Sequence, residues 1–102
     1  MSNPLSVVII TKNEEIFIED AIKSASFADE VLVLDSDSVD RTCEISKKMG
    51  ARVEKHKWLG FGKQKNLAVN LSSNDWVFIL DADERITSNL QRELTSLLKN
   101  PL

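Results

Sequence analysis

Two short runs rich in β-branched residues are each followed by a helical pattern, and this alternation constrains the fold most strongly. Residues 6–10 (SVVII) form the first run and residues 31–34 (VLVL) form the second. Uninterrupted runs of this kind are typical of strands that are covered on both faces, as in parallel sheets. Parallel strands need a long crossover connection, which a helix commonly supplies. The two runs therefore predict an α/β fold.

The same alternation continues along the chain. It predicts strands at residues 6–10, 31–34, 51–55 and 76–80, and helices at residues 14–26, 39–49, 63–71 and from 88 to a stop at Asn100-Pro101. The third strand has alternating polar residues and is predicted at a sheet edge, whereas the fourth is predicted to be buried. The order βαβαβαβα predicts one Rossmann-like, three-layer α/β/α domain over residues 1–102, with a mostly parallel sheet.

Local patterns predict where the helices begin and end. Thr11 and Glu14 have the Thr-x-x-Glu spacing of a capping box, and Ser88 and Gln91 form a similar pair before the last helix. Gly50 is predicted to end the second helix. The leucines of the last helix recur at helical spacing and are all predicted to face the core. They are Leu90, Leu94, Leu97 and Leu98.

Charge, hydropathy and cysteine content exclude several functional classes. A net charge of -3 without a basic stripe disfavours nucleic acid as a partner. No segment approaches the roughly 20 apolar residues of a membrane span, and no export signal is recognisable at the N-terminus. We therefore expect a cytoplasmic protein without a transmembrane segment, located either in the cytosol or at the inner face of the membrane. Cys43 and His56 are single residues of their types, which leaves hard oxygen ligands for any metal ion.

Polar residues follow three of the predicted strands, whose carboxyl ends form one rim of a parallel sheet. Asp81 and Asp83 follow the fourth strand, and alternate side chains of an extended segment point the same way. The two acids are therefore predicted to share a divalent cation with the oxygens of a diphosphate. Asp35 continues the second strand, where it can accept a hydrogen bond from a base or a ribose. The candidates from the three loops are Thr11, Asn13, Glu14, Asp35, Asp81 and Asp83.

Each of these loops also admits a purely structural role. Thr11 and Glu14 can simply cap a helix, and Asp35 and Asp37 can serve a turn. Residues 60–63 (GFGK) match neither a phosphate-binding loop nor a dinucleotide-binding pattern, which disfavours NAD as a cofactor. The larger aromatic residues are predicted to pack in the core or at its rim, without a chemical role. They are Trp58, Phe61 and Trp76.

Four segments, in this order along the chain, resemble the successive motifs of family 2 glycosyltransferases. They are residues 7–14 (VVIITKNE), 33–40 (VLDSDSVD), 62–68 (GKQKNLA) and 80–84 (LDADE). The first and third segments are most similar to the bacterial lipopolysaccharide-core glucosyltransferase branch. The resemblance covers nearly the whole chain but only the nucleotide-sugar half of a family member. We therefore expect an N-terminal donor-binding domain that stops before the acceptor-binding half.

The resemblance implies a GT-A fold that binds a UDP-sugar, with UDP-glucose favoured, and inverting transfer to a glycan or glycolipid acceptor such as lipopolysaccharide. Asp81 is implied to bind the ribose and Mg²⁺ or Mn²⁺, and Asp83 to bind the metal. Lys65 and Asn66 stand where the family has an Arg-Asn pair near the donor, and lysine lacks the bidentate phosphate geometry of arginine. Residues 35–38 (DSDS) replace the family's Asp-Asp-Gly-Ser, which leaves open which acid meets the base. The residues implied to hold uridine are Thr11, Asn13, Glu14 and Asp35.

Two functional hypotheses of different class follow. The first is the donor-binding part of a glycosyltransferase, in which no catalytic residue or general base is assigned to this chain. The alternative is a non-catalytic binding or assembly module that retains the GT-A half-fold and acts through a partner surface. Metal-dependent binding of UDP distinguishes the two. A nucleotidyltransferase of similar fold is disfavoured, since it requires a glycine-rich loop directly after the first strand.

Overall fold

Four strands alternate with four helices in residues 2–99, the part of the chain that this computed structural model describes. The strands are β1 (Leu5–Thr11), β2 (Glu30–Asp35), β3 (Arg52–Lys55) and β4 (Trp76–Ile79). The helices are α1 (Ile18–Ser24), α2 (Thr42–Lys48), α3 (Phe61–Leu71) and α4 (Ser88–Lys99). None of the helices within residues 2–99 is long and apolar enough to cross a membrane.

The strands form one sheet in the order β3-β2-β1-β4. The pairings of β1 with β2, of β1 with β4 and of β2 with β3 are all parallel. This arrangement confirms the predicted α/β fold and the predicted edge position of β3. The strand order also reverses at β1, because β2 and β3 extend to one side of it and β4 lies on the other.

Alternating side chains of the central strands divide the core into two clusters. Val7, Ile9 and Val33 pack against α1, α2 and α4 on one face of the sheet. Val8 and Leu34 pack against α3 on the opposite face. The helices therefore cover both faces, and the predicted three-layer architecture is confirmed.

The fourth strand is less buried than the sequence predicts. Trp76 and Ile79 are 43% and 41% exposed, and β4 pairs with β1 alone among the described strands. The prediction of a buried fourth strand is therefore wrong. An apolar run shows that a strand suits a covered surface, but it carries no information on whether the strand has one neighbour or two.

Thr11 ends a strand instead of capping a helix. It pairs with Asp35 in the register of β1 and β2, and its Oγ1 donates a hydrogen bond of 2.7 Å to Asp35 Oδ1. The first helical turn starts at Glu14, whose carbonyl accepts from the N–H of Ile18 at 2.9 Å, and regular helix follows from Ile18. The predicted capping box is wrong, because a carboxylate on the neighbouring strand already binds the hydroxyl.

The cap of α4 lies one residue before the predicted one. Thr87 Oγ1 accepts a hydrogen bond of 3.1 Å from the N–H of Leu90, and the Thr87 carbonyl accepts one of 2.9 Å from the N–H of Gln91. Thr87 therefore has the role that the sequence pattern assigned to Ser88. The two residues carry equivalent hydroxyl groups, so their pattern alone could not separate them.

Not all leucines of α4 face the core. Leu98 is buried and Leu90 packs against the cluster around α1, but Leu97 is exposed. Consecutive helical residues are about 100° apart around the axis, so neighbouring leucines cannot share one narrow apolar face. The predicted stop at Asn100-Pro101 lies outside the described residues.

Two glycines with positive φ mark helix boundaries. Gly50 has φ +89° and follows α2, as the sequence predicts, although α2 begins at Thr42 and not near Val39. Gly60 has φ +98° and precedes α3, which begins at Phe61, two residues before the predicted start. The earlier start of α3 places Phe61 on the first turn of the helix.

Glu30, the first residue of β2, links the amino-terminal ends of the three other strands. Its carboxylate accepts hydrogen bonds of 2.8 Å from Ser6 Oγ, of 2.8 Å from both the N–H and the hydroxyl of Ser73, and of 3.2 Å from Arg52 Nη1. Burial acts to raise the pKa of Glu30, but the hydrogen bonds from Ser73, Ser6 and Arg52 outweigh it and lower the pKa. Deprotonated Glu30 therefore stabilises the fold.

We expect Glu30→Gln to lower the free energy of unfolding at pH 7 by about 1–2 kcal/mol, because charged hydrogen bonds are lost. A lowered folded-state pKa means that this stabilisation is present above the unfolded pKa and is lost as the pH falls. The difference from the wild type should therefore shrink between about pH 5 and 3 in urea unfolding followed by circular dichroism. Glu44→Gln, which breaks an exposed pair with Arg41, is the matched control and should change little. A pH-independent difference for Glu30→Gln would contradict the assignment.

Candidate functional site

The carboxyl ends of β1 and β4 lie side by side where the strand order reverses. In open parallel sheets, ligands bind in the crevice at such a reversal. A groove of ≈ 370 Å³ opens at this place, and we call it the acidic groove. It is lined by Ile10, Glu14, Phe17, Phe61, Lys65, Asp81, Ala82 and Asp83.

A second groove of ≈ 340 Å³ adjoins the first, and we call it the aromatic groove. It is lined by Ile10, Thr11, Lys12, Glu14, Trp58 and Phe61. The two grooves share Ile10, Glu14 and Phe61, so they form two halves of one cleft. One half carries two aspartates and a lysine, whereas the surface of the other is mostly apolar although Lys12 and Glu14 also line it.

Asp81 and Asp83 belong to a turn and not to an extended segment. β4 ends at Ile79, and the N–H of Glu84 donates a hydrogen bond of 2.9 Å to the carbonyl of Asp81. The argument from alternating side chains is therefore wrong for these two residues. Both are nevertheless exposed and line the acidic groove, so a turn brings them to the same cleft.

Glu14 lies close enough to Asp83, in the turn after β4, and to Asp40, in the loop after β2, to feel the charges of both. Its N–H donates a hydrogen bond of 2.8 Å to Thr42 Oγ1, which fixes the chain after β1. Burial raises the pKa of Glu14, and the negative charges of Asp83 and Asp40 raise it further. Several negatively charged carboxylates are held close together here, so this place would bind a cation favourably.

The residues of the acidic groove fit a divalent cation that takes part of its coordination from a ligand. Asp81 and Asp83 supply the hard oxygen atoms that Mg²⁺ and Mn²⁺ prefer. Within residues 2–99, however, no group of three or more histidine, cysteine, aspartate or glutamate residues is arranged to hold an ion. Phosphate oxygens would complete the coordination, and Lys65 in the same groove offers them a positive charge.

Asp35 is buried beneath the cleft. Its Oδ1 accepts hydrogen bonds from the hydroxyls of Thr11 and Ser38, and its Oδ2 accepts one of 3.0 Å from the N–H of Ser38. Burial, and then the negative charge of Asp35, raise the pKa of the nearby Cys43 thiol. Both oxygens of Asp35 thus bind protein donors, and Asp35 supports Thr11 from below. The predicted contact of Asp35 with a base stays a prediction.

Asn13 joins the loop after β1 to the loop after β2. Its N–H donates a hydrogen bond of 2.7 Å to Ser38 Oγ, and its Oδ1 accepts one of 2.8 Å from the N–H of Val39. The left-handed backbone of Asn13, with φ 55°, makes this arrangement possible. Asn66 is exposed on α3, directly after Lys65.

The cleft therefore brings together most of the candidates that the sequence predicts. The residues that line it are Thr11, Glu14, Lys65, Asp81 and Asp83. Asp35 lies below Thr11, whereas Asn13 and Asn66 are not among the residues that line either groove. The individual roles of these residues stay predictions.

The aromatic residues of the cleft were missed by the sequence analysis. Trp58 and Phe61 are 44% and 71% exposed, and their ring centroids are 4.9 Å apart in an edge-to-face arrangement. The prediction that they pack in the core or at its rim is wrong, because both side chains are exposed and line the aromatic groove. Gly60, with φ +98°, lies between them in the chain. A pair of large aromatic residues beside a glycine at a strand end was the available signal.

The family model and the two relatives described here are all glycosyltransferases. Residues 6–101 match the family described as Glycosyl transferase family 2. An uncharacterized glycosyltransferase of Rickettsia bellii (strain RML369-C) is 44% identical over 95 residues, which cover 92% of this chain and 32% of that protein. The lipopolysaccharide core biosynthesis glycosyltransferase LpsC of Rhizobium meliloti (strain 1021) is 34% identical over 100 residues, which cover 93% of this chain and 37% of that protein.

Solved structures show the same similarity. Glucosyl-3-phosphoglycerate synthase from Mycobacterium tuberculosis, in complex with Mn²⁺, UDP and glucosyl-3-phosphoglycerate, superposes with a TM-score of 0.70 at 32% identity. The match covers 78% of this chain and 33% of the synthase chain. The same synthase has also been solved with Mn²⁺, UDP-glucose and phosphoglyceric acid. This chain spans about a third of the length of the relatives that it matches.

Proposed function

This chain belongs to glycosyl transferase family 2, and we propose that it binds the UDP-sugar donor, with a divalent cation, for inverting transfer of the sugar. The observation that carries the proposal is the cleft at the reversal of strand order, where two aspartates and a lysine line one groove. Similar solved structures hold UDP with Mn²⁺ or Mg²⁺, which supports the same ligand class here. UDP-glucose is the favoured donor, since the M. tuberculosis synthase is solved with it.

In the proposed complex, five of the groove residues have defined tasks. Asp81 and Asp83 would hold the cation, and Asp81 would also contact the ribose. Lys65 would face the diphosphate with its positive charge, while Thr11 and Glu14 border the uridine. When bound, Mg²⁺ or Mn²⁺ supplies charge stabilisation for the diphosphate that leaves as the bond to the sugar breaks. Donor binding and orientation are therefore the contributions that we assign to residues 1–102.

We assign the activation of the acceptor hydroxyl to the part of the longer relatives that this chain does not cover. The chain covers 32% of the R. bellii protein and 37% of LpsC, and we assign no general base within it. The named function of LpsC in lipopolysaccharide core biosynthesis supports a glycan or glycolipid of the cell envelope as acceptor. We propose that transfer takes place on the cytoplasmic side of the membrane.

Isothermal titration calorimetry with UDP and UDP-glucose tests the proposal. We expect binding in the presence of Mn²⁺ or Mg²⁺ and a large loss of affinity after chelation with EDTA, because the diphosphate then faces uncompensated carboxylates. ADP, which shares the diphosphate but not the base, is the specificity control. Absence of UDP binding at millimolar concentrations with Mn²⁺ would overturn the proposal. Metal-independent capture of a partner protein, unchanged by loss of Asp81 and Asp83, would favour the non-catalytic assembly module.

A further inference from the structure

Two exposed aromatic rings line the cleft without an evident structural role. Phe61 is 71% exposed, and Trp58, 4.9 Å away between ring centroids, is 44% exposed. Exposed large apolar side chains are common singly, but two that contact each other beside a groove indicate a binding surface. Ile10 adds an apolar wall to the same groove, and Thr11, Lys12 and Glu14 add polar or charged groups.

The chemistry of the two grooves differs along the cleft. Asp81, Asp83 and Lys65 line the acidic groove, which suits a charged diphosphate and its cation. Trp58 lines only the aromatic groove, whereas Phe61 lines both grooves and lies on the boundary between them. A nucleotide has the same division, because a flat, uncharged ring is linked through a ribose to a charged diphosphate.

We propose that Phe61 and Trp58 form the surface on which the nucleobase of the donor lies, while the acidic groove takes the diphosphate. This inference rests on the proposed function, because it assumes a nucleotide donor. Nucleobases stack on aromatic side chains, and the edge-to-face pair holds the two rings at a fixed angle. The position of Phe61 on the first turn of α3 fixes its backbone, four residues before Lys65.

The first test measures the affinity of Phe61→Ala for UDP, for uridine and for pyrophosphate with Mg²⁺. We expect about tenfold weaker binding of UDP and uridine and unchanged binding of pyrophosphate, because only the base contacts are lost. Phe61→Trp should retain the wild-type affinity for UDP. Leu97→Ala removes a similarly exposed apolar side chain from α4, away from the cleft, and is the matched control.

The second test uses the two tryptophans of the chain. Trp58 lines the aromatic groove, whereas Trp76 lies at the amino end of β4, on the opposite rim of the sheet. We expect UDP to quench the fluorescence of Trp76→Phe, in which only Trp58 remains. The fluorescence of Trp58→Phe should not change on addition of UDP.

The outcomes separate the inference from the function on which it rests. If the wild type binds UDP with Mn²⁺ but Phe61→Ala binds it equally well, the aromatic surface is refuted and donor binding stands. If Phe61→Ala weakens the binding of UDP and of pyrophosphate by the same factor, Phe61 supports the diphosphate region, and its assignment to the nucleobase is refuted. If the wild type does not bind UDP, both proposals fall.

Discussion

Asp83→Asn should lower the Mn²⁺-dependent affinity for UDP by a factor on the order of 100, because a charged ligand of the cation is removed. The side chain is exposed in the turn after β4, so the substitution leaves the core unchanged. Calorimetry with UDP at fixed Mn²⁺, and again in EDTA, measures the effect. In EDTA the variant and the wild type should differ little.

The same substitution should not destabilise the fold. The charge of Asp83 helps to raise the pKa of Glu14, which shows that the two carboxylates repel each other. Asp83→Asn removes this repulsion, so the melting temperature should stay equal or rise slightly. Asp75→Asn changes an exposed aspartate at the other end of β4 and is the matched control for both measurements. An unchanged UDP affinity in Asp83→Asn would remove the basis of the metal assignment.

The second large effect that we expect is that Asp35→Ala lowers the free energy of unfolding by about 3 kcal/mol. The substitution leaves Thr11 Oγ1 and both the N–H and the hydroxyl of Ser38 without their acceptor, and it opens a small cavity in a buried position. Unsatisfied buried donors cost about 1–3 kcal/mol each when water cannot reach them. Urea unfolding monitored by circular dichroism measures the loss.

The result also decides between two roles of Asp35. If it mainly supports Thr11, stability and UDP affinity should fall together, and Asp35→Asn should recover part of both. If it mainly contacts the base, UDP affinity should fall while the unfolding curve stays near that of the wild type. Asp37→Asn is the matched control, because Asp37 is exposed at φ 54°, a conformation that asparagine also tolerates.

The fold was predictable because apolar runs and helical spacing are local properties that the tertiary structure leaves intact. Residues 6–10 and 31–34 lie within β1 and β2, which form the centre of the sheet. Their apolar side chains alternate between two helix-covered faces, so an uninterrupted run had a direct structural meaning. The meeting of several candidate residues in one cleft followed from the same pattern, since polar residues at strand ends meet at one rim.

The details that failed depend on contacts and element boundaries that the sequence pattern does not determine. The Thr11 hydroxyl binds Asp35, 24 residues away, and no local pattern indicates that this acceptor is available. The turn of Asp81 depends on a hydrogen bond from Glu84 and on β4 ending at Ile79, which sequence spacing does not determine. The exposure of Phe61 depends on where α3 begins, and that start is set by the backbone of Gly60.

The outer side of β4 has a consequence for the behaviour of the chain in solution. Within residues 2–99, β4 hydrogen-bonds to β1 alone, so the amide and carbonyl groups on its other side find no strand partner. Such a row of groups is a template for strand addition from another molecule, and the exposed Trp76 and Ile79 add apolar surface beside it. Self-association at high protein concentration should therefore start here, and a lysine in place of Ile79 should suppress it in light scattering.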